Sequence, residues 1–345
     1  MHALILAGGK GTRLRPLTVY TPKPIVPVMN RPFLMYQIEI LRRAGITDIT
    51  LSLSYQPDKI EQLLGDGSEF GVKVRYLTEP TPLGTGGAYR FAAEELNETT
   101  VVLNGDILTD ADLTKMIEFH RSNQAEATIA LTPVADPSNY GLVERDKDKR
   151  VKRFIEKPSA DEIGKKKLNN INAGIYVLEP SIREMIKKNE NRSFEYHVFP
   201  DLLEQKREFF AYELKDAYWR DLGTPDNYLA AHLDFLAGRI TGFDTPELDR
   251  SEIATHAHIE NSVIGDGCTI KPNAEIINSV IGSGVHIEEK ARIEDSVIWS
   301  HTRVSSFASV KGAVVARSCH IGRNSVIREG TVLGDKASIP DYSRA

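Results

Sequence analysis

A seventeen-residue internal repeat beyond Gly238 restricts the fold of this chain more than any other feature. The phrases Asn261-Ser262-Val263-Ile264, Asn278-Ser279-Val280-Ile281, Asp295-Ser296-Val297-Ile298 and Gly312-Ala313-Val314-Val315 follow one another at that period. Two aliphatic tracks keep it as well, one through Ile253, Ile270, Ile287, Val304 and Ile321, the other through Ile259, Ile276, Ile293, Val310 and Ile327. One apolar residue thus arrives every five or six positions, which is too sparse for a strand face and wrong for a helix. The spacing suits a coil of three short strands with one inward side chain on each flat side, and stacked coils form a parallel β-helix. Cys268 and Cys319 differ by three full repeats. They therefore fall on one track about 14 Å apart, at roughly 4.8 Å per coil, too far for a disulfide.

The chain of 345 residues is longer than one compact core usually fills, so two domains are expected. From Met1 to about Gly238 short β-branched runs alternate with amphipathic ones. Ala3–Ala7, Ile49–Tyr55, Val72–Leu77, Thr100–Asn104 and Ala127–Val134 read as strands; Phe33–Ala44, Gly86–Leu96 and Leu113–Ser122 read as helices. This alternation predicts an α/β fold with a mixed, mainly parallel, Rossmann-like sheet whose ligands lie beyond the carboxyl ends of the strands. Residues 1–238 form the first domain, the polar stretch 239–250 a linker and 251–345 the β-helix.

A formal net charge of -5 with both signs mixed throughout shows no basic face for nucleic acid or an anionic membrane, so a small-molecule substrate is expected. Two widely separated cysteines fit a reducing compartment. The apolar run near Met1 is too short for a signal peptide and no run is of membrane-spanning length, so a soluble cytoplasmic protein is expected.

The first strand, ending at Leu6 and Ala7, runs into Gly8-Gly9-Lys10-Gly11-Thr12-Arg13. Glycines let the backbone approach a triphosphate, and free N–H groups beside cations cradle anions. The spacing is not a Walker A loop, and Leu14 stands where a dinucleotide fingerprint needs glycine. The continuation Arg13-Leu14-Arg15-Pro16-Leu17-Thr18, then Thr21-Pro22-Lys23-Pro24, is a long motif that few families share. With it the chain resembles the sugar-1-phosphate nucleotidylyltransferases, most closely the mannose-1-phosphate guanylyltransferases, and the tail is similar to the left-handed, hexapeptide-repeat β-helix of their longer members. The resemblance covers nearly the whole chain.

That resemblance implies Leu6, Ala7, Gly8, Gly9, Gly11 and Thr12 at the nucleotide, with Arg13 on the β- and γ-phosphates and Lys23 on the α-phosphate. A planar guanidinium fork suits the former and a compact ammonium the latter. Prolines on either side are expected to hold Lys23 in a stiff extended segment. Asp106, in Val102-Leu103-Asn104-Gly105-Asp106, and Asp221, in Tyr218-Trp219-Arg220-Asp221, are implied ligands of Mg²⁺, a cation that bridges phosphates with only one or two protein carboxylates. Read without the resemblance, Asp221 is an aspartate near the N-cap of the helix starting at Pro225. Many relatives carry an aliphatic residue where Arg220 stands.

In Arg153-Phe154-Ile155-Glu156-Lys157-Pro158 the resemblance gives Lys157 the sugar phosphate and Glu156 a sugar hydroxyl, with Gly141 and Asn172 also touching the hexose. On charge alone Lys147–Arg153 continues as a hairpin strand of exposed ions. The base loop is Glu79–Ala88, where Glu79, Pro82, Gly84 and Thr85 are the expected contacts. Relatives that use thymidine or uridine triphosphate commonly carry glutamine at the position of Glu79. A carboxylate instead accepts from the two adjacent donors of guanine, which points to GTP.

The expected reaction is in-line attack of mannose 1-phosphate on the α-phosphorus, with pyrophosphate leaving and Arg13, Lys23, Lys157 and the metal neutralising charge. Glucose 1-phosphate with dTTP or UTP, or another sugar phosphate with GTP, is the alternative. A catalytically silent regulatory subunit would have lost Arg13, Lys23, Asp106 or Asp221, and all four are present. Acetyl transfer on the β-helix would need a histidine base, yet His286 and His320 recur two repeats apart as edge residues do. The coil's outer faces and open end suit self-association into a homo-oligomer.

Overall fold

In the computed structural model, which describes residues 1–79, 81–164, 169–244 and 251–345, His2–Leu6 is an interior strand of a nine-stranded sheet. It pairs in parallel with Asp48–Leu53 on one side and Thr100–Asn104 on the other, and Lys73–Thr78 extends the parallel half. Beyond Thr100–Asn104 the direction changes. Asn170–Leu178 runs antiparallel to Thr100–Asn104, to Ala127–Pro133 and to Gly141–Arg145, and Val151–Glu156 closes that edge as the second arm of a hairpin. The sheet is therefore mixed. Its parallel half gathers the carboxyl ends at Leu6, Leu53, Thr78 and Asn104 along one edge, where loops are free to build a site.

Leu113–Ser122 is helical as expected, capped by Asp112, whose side chain accepts from the Thr114 N–H. The other two helices are shorter than the periodicity suggests, Leu34–Arg43 and Gly84–Ala92. Among the described residues no helix is long and apolar enough to cross a membrane.

The chain divides into two compact units, Met1–Gly9 with Tyr36–Trp219, and Lys10–Met35 with Arg220–Ala345. The first contains the whole nine-stranded sheet. The second contains the coil together with Lys10–Met35, referred to below as the arm, and the helix Pro225–Leu236. Of the expected linker, residues 245–250 lie outside the described residues.

The coil has three parallel ladders, of six, five and five short strands. Register steps by seventeen residues, as in Ile270 with Ile287 and Ile276 with Ile293. The last turn is one residue longer: Val314 pairs with Val332 and His320 with Ser338. The inward aliphatics Ile270, Ile276, Ile281, Ile287, Ile293, Ile298, Val304, Val310, Val315, Ile321 and Ile327 make one continuous core. The repeat phrase has a backbone reason. Its first residue turns the corner with positive φ at Asn261, Asn278, Asp295 and Gly312, a region asparagine, aspartate and glycine tolerate best. Side-chain bonds stack along it, Asn261 to Asn278 and Asn278 to Asp295, each 2.7 Å. Cys268 and Cys319 are buried and free.

Candidate active site

In the first unit the loop after His2–Leu6 opens onto a cavity of about 230 Å³ lined by Leu6, Gly8, Gly9, Ser54, Glu79, Pro82, Gly84, Thr85 and Ala88. Seven of these are residues expected at the nucleotide, and Ala7 lies between Leu6 and Gly8 in the same strand-to-loop passage. Pro80 lies outside the described residues. Glu79 is fixed by two donors: Ser52 Oγ reaches its Oε1 at 3.0 Å and the Leu83 N–H its Oε2 at 3.1 Å. A Cβ at Gly8 would sit 3.1 Å from Glu79 Oε1 and 3.2 Å from Ser54 Oγ, so any side chain there would press on Glu79 and Ser54 by a few tenths of an ångström. At Gly9 an added Cβ would meet nothing within 4 Å. The backbone at Gly9 therefore faces the open part of the cavity. Ser54, which the sequence reading missed, donates to the Gly8 carbonyl and steadies the loop.

The far wall is built on Thr85, whose hydroxyl donates to Glu195 Oε2 at 3.0 Å and accepts from the Phe194 N–H at 2.9 Å. Ser193 caps the single π-turn Phe194–Val198 and also donates to Glu195, at 2.7 Å. No period in the sequence marks that turn, and Glu195 escaped notice with it.

Asp106 follows Thr100–Asn104 on a turn pressed against the loop. The Gly105 N–H donates to the Leu6 carbonyl at 2.8 Å, and a Cβ at Gly105 would lie 2.6 Å from that oxygen. Gln37 braces the turn from behind, donating to the carbonyls of Asn104 and Ile107 at 2.9 and 3.0 Å. Asn104 Oδ1, two residues before Asp106, is buried with no hydrogen-bond partner.

Gly141 and Glu156 pair across the hairpin, and a Cβ at Gly141 would approach Glu156 Oε2 to 2.9 Å. Burial pushes the Glu156 carboxyl above the ordinary range, the neighbouring Glu195 pushes it further, and Lys157 opposes both. The strand stops at Glu156, and Lys157 adopts a left-handed φ of 50° with its N–H donating to the Tyr140 carbonyl at 3.1 Å. This left-handed residue ends the strand, as other positive-φ residues of the chain do at turns. Asn172 is engaged within the protein: its amide donates to Tyr176 Oη at 2.9 Å and its Oδ1 accepts from the Gly174 N–H at 2.9 Å.

The second unit holds Gly11, Thr12, Arg13, Lys23 and Asp221. Gly11, with φ 61°, starts the 3₁₀ turn Thr12–Leu14, and its carbonyl accepts from Thr18 Oγ1 at 2.7 Å. Lys23 is 9% exposed and starts a second 3₁₀ turn, Lys23–Ile25, where an extended segment was expected. Pro24 accounts for the difference, because its fixed φ suits the first turn of a helix as well as a strand. Thr224, not Asp221, caps the helix Pro225–Leu236. Asp221 is 8% exposed; Oδ1 accepts from the Gly223 N–H and Oδ2 from Asn227 Nδ2, each at 3.1 Å. A Cβ at Gly223 would stand 2.5 Å from Asp221 Oδ1 and 3.0 Å from Arg13 Nη2, so the metal carboxylate and the phosphate arginine of the sequence reading border one spot. Arg220 is accommodated by the buried Asp234, 2.7 Å away.

The two aspartates offer oxygen donors only, and no cluster of three or more histidine, cysteine or acidic side chains suited to a metal occurs among the described residues. Carboxylate oxygens of this kind suit a hard cation that keeps waters and substrate oxygens in its shell, and not a softer ion held wholly by protein.

Comparison with known proteins places the chain in a family. The nucleotidyl transferase family profile matches residues 2–238, and the profile "EIF2B subunit epsilon LbH domain" matches 248–344. A Mycobacterium tuberculosis mannose-1-phosphate guanylyltransferase is 38% identical over 277 residues, 79% of this chain and 72% of that protein. A Pichia angusta mannose-1-phosphate guanyltransferase is 41% identical over 243 residues, 69% of this chain and 65% of its own. A probable mannose-1-phosphate guanylyltransferase 1 of Oryza sativa subsp. japonica is 38% identical over 289 residues, 79% and 75% of the two chains. The chain belongs to the nucleotidyl transferase family and joins its enzymatic domain to a left-handed β-helix.

Proposed function

We propose that this enzyme transfers a guanylyl group from GTP to mannose 1-phosphate, releasing pyrophosphate and GDP-mannose. The observation that carries the proposal is the cavity over Gly8 and Gly9 with Glu79 fixed at its wall. Both Glu79 oxygens already hold one donor each and retain lone pairs for the two adjacent N–H groups of guanine. The names of the relatives favour the same pair of substrates.

Gly9 lets the triphosphate approach the backbone. Arg13 takes the β- and γ-phosphates, and Lys23, almost buried, presents its charge to the α-phosphate as negative charge builds there. Lys157 turns toward the sugar phosphate while Glu156 accepts from a hexose hydroxyl, and Gly141 and Asn172 complete the hexose contacts. The attacking phosphate oxygen is already an anion, so no general base or covalent intermediate is required. Asp106 and Asp221 would hold Mg²⁺. When bound, it neutralises phosphate charge and aligns attacking and leaving oxygens. The protein acts in the cytoplasm as a homo-oligomer without nucleic-acid or membrane partners; light scattering reads the assembly.

Pyrophosphate release across GTP, ATP, UTP, CTP and dTTP, each with mannose 1-phosphate and glucose 1-phosphate, tests the proposal. GTP with mannose 1-phosphate should give the highest kcat/KM, and faster turnover with dTTP or UTP would refute the assignment.

A further inference from the structure

The coil carries a chain of contacts that substrate binding does not use. Trp299, 2% exposed, follows the strand Val297–Ile298, and its Nε1–H donates to Tyr228 Oη at 2.9 Å. That hydroxyl in turn donates to the Pro27 carbonyl in the arm. Arg317 lies over the Trp299 ring, 5.6 Å from its centroid, and donates through Nη2 to Thr21 Oγ1 at 2.9 Å. Thr21 and Pro27 stand on either side of Lys23–Ile25. The turn bearing Lys23 is therefore tied at both ends to one tryptophan of the coil. Tyr228 also belongs to the helix whose Asn227 holds Asp221 Oδ2.

A turn as short as Lys23–Ile25 has two internal hydrogen bonds, from the N–H groups of Ile25 and Val26, and a single turn does not hold itself in water. Its order has to come from tertiary contacts. A buried tryptophan needs a partner for its N–H, which any nearby carbonyl could supply. Here the partner is a hydroxyl that passes the bond on to the arm, and the ring is stacked by an arginine that does the same from the other end.

We propose that Trp299 and Arg317 are positioning residues for nucleotidyl transfer, holding the Lys23 turn in place directly and, through Tyr228, the Asp221 segment. The coil is on this account part of the reaction's scaffold, an inference that rests on the catalytic reading given above. Lys23 would stabilise charge that develops in the transition state, so loosening its turn lowers kcat more than it weakens GTP binding.

Tyr228→Phe deletes one hydroxyl, Trp299→Phe the indole N–H together with one of its two fused rings, and Arg317→Met the guanidinium while keeping a stem; Tyr228→Phe is thus the cleanest of the three. Each variant is assayed for kcat and KM with GTP and mannose 1-phosphate, for melting temperature, and for amide hydrogen exchange of residues 17–33 and of the coil strands. The expected result is a kcat lower by about tenfold or more with KM for GTP within roughly threefold, the scale that small misplacements of a charged group produce. Exchange should quicken in 17–33 and stay unchanged in the coil. Unchanged kcat overturns the proposal. So does a fall in kcat that tracks melting temperature with exchange rising equally in the coil, which is the signature of lost packing alone. A wild-type enzyme that releases no pyrophosphate from any triphosphate would refute the catalytic reading separately; exchange then decides, and an arm no faster in Tyr228→Phe than in wild type overturns the tie.

Discussion

Gly223→Ala perturbs the point where Arg13 and Asp221 meet. Its φ lies outside the left-handed region, so the backbone accepts alanine and the effect comes from the added methyl. That carbon would sit 2.5 Å from Asp221 Oδ1, 3.0 Å from Arg13 Nη2 and 3.2 Å from Arg13 Cζ. Ordinary contact begins near 3.4 Å, so the carboxylate must retreat by roughly 0.9 Å and the guanidinium by a few tenths. Retreat also stretches the 3.1 Å bond from the Gly223 N–H that holds Oδ1. Overpacking of this size costs about 1–3 kcal/mol of stability. A displacement near 1 Å in a catalytic group costs about 100-fold in rate. Steady-state pyrophosphate release beside a thermal melt checks both figures. A folded variant whose kcat stays within about threefold of wild type would refute the reasoning, because a misplacement of this size should not be catalytically silent.

Glu79→Gln should keep the fold, since the amide oxygen can accept from Leu83 and the Ser52 hydroxyl can reverse its bond. It removes an acceptor for guanine, so kcat/KM for GTP falls by about 10- to 100-fold, the worth of one charge-assisted hydrogen bond, while that for UTP rises or holds; an unchanged GTP preference counts against the base assignment. Glu156 carries a raised carboxyl, so on acidification it protonates, and loses its sugar hydroxyl, at higher pH than an ordinary glutamate. Glu195→Gln removes the like charge and should shift the acid limb of kcat/KM for mannose 1-phosphate to lower pH; a limb that stays put or moves upward contradicts the coupling. Gly9→Ala, with no protein atom near its new methyl, should leave the melting temperature unchanged and raise KM for GTP, and a folding defect without a KM effect would mean the space is not for ligand.

Much of the coil was legible because its inward side chains recur at one fixed step, and the corner asparagines write the turns into the same phrase. The lengthened last turn was not, since one extra residue between Ile327 and Val332 leaves no apolar signature. In the sheet, strand positions followed β-branched runs, but direction did not. Asn170–Leu178 is largely buried, as are the strands of the parallel half, and burial alone carries no sense of direction. The glycine turn after His2–Leu6, Glu79 and the Asp106 turn, which line or flank the first unit's cavity, stood in the sequence as unbroken phrases. The π-turn holding Glu195, the 3₁₀ turn under Lys23 and the gathering of Lys10–Met35 with the coil were not, because each depends on residues tens to hundreds of positions away, such as Arg317 beneath Thr21.

Whether Asp106 and Asp221 serve one ion is measured most directly by a double-mutant cycle on kcat for pyrophosphate release with Mg²⁺. Two ligands of one metal act as a unit, so removing the second after the first adds little. Asp106→Ala and Asp221→Ala should each lower kcat by more than about 100-fold and the double variant by no more than about tenfold beyond the worse single. Multiplicative losses, or activity within about tenfold of wild type in either single variant, a barrier change of roughly 1.4 kcal/mol, would contradict a shared metal at the reacting phosphates.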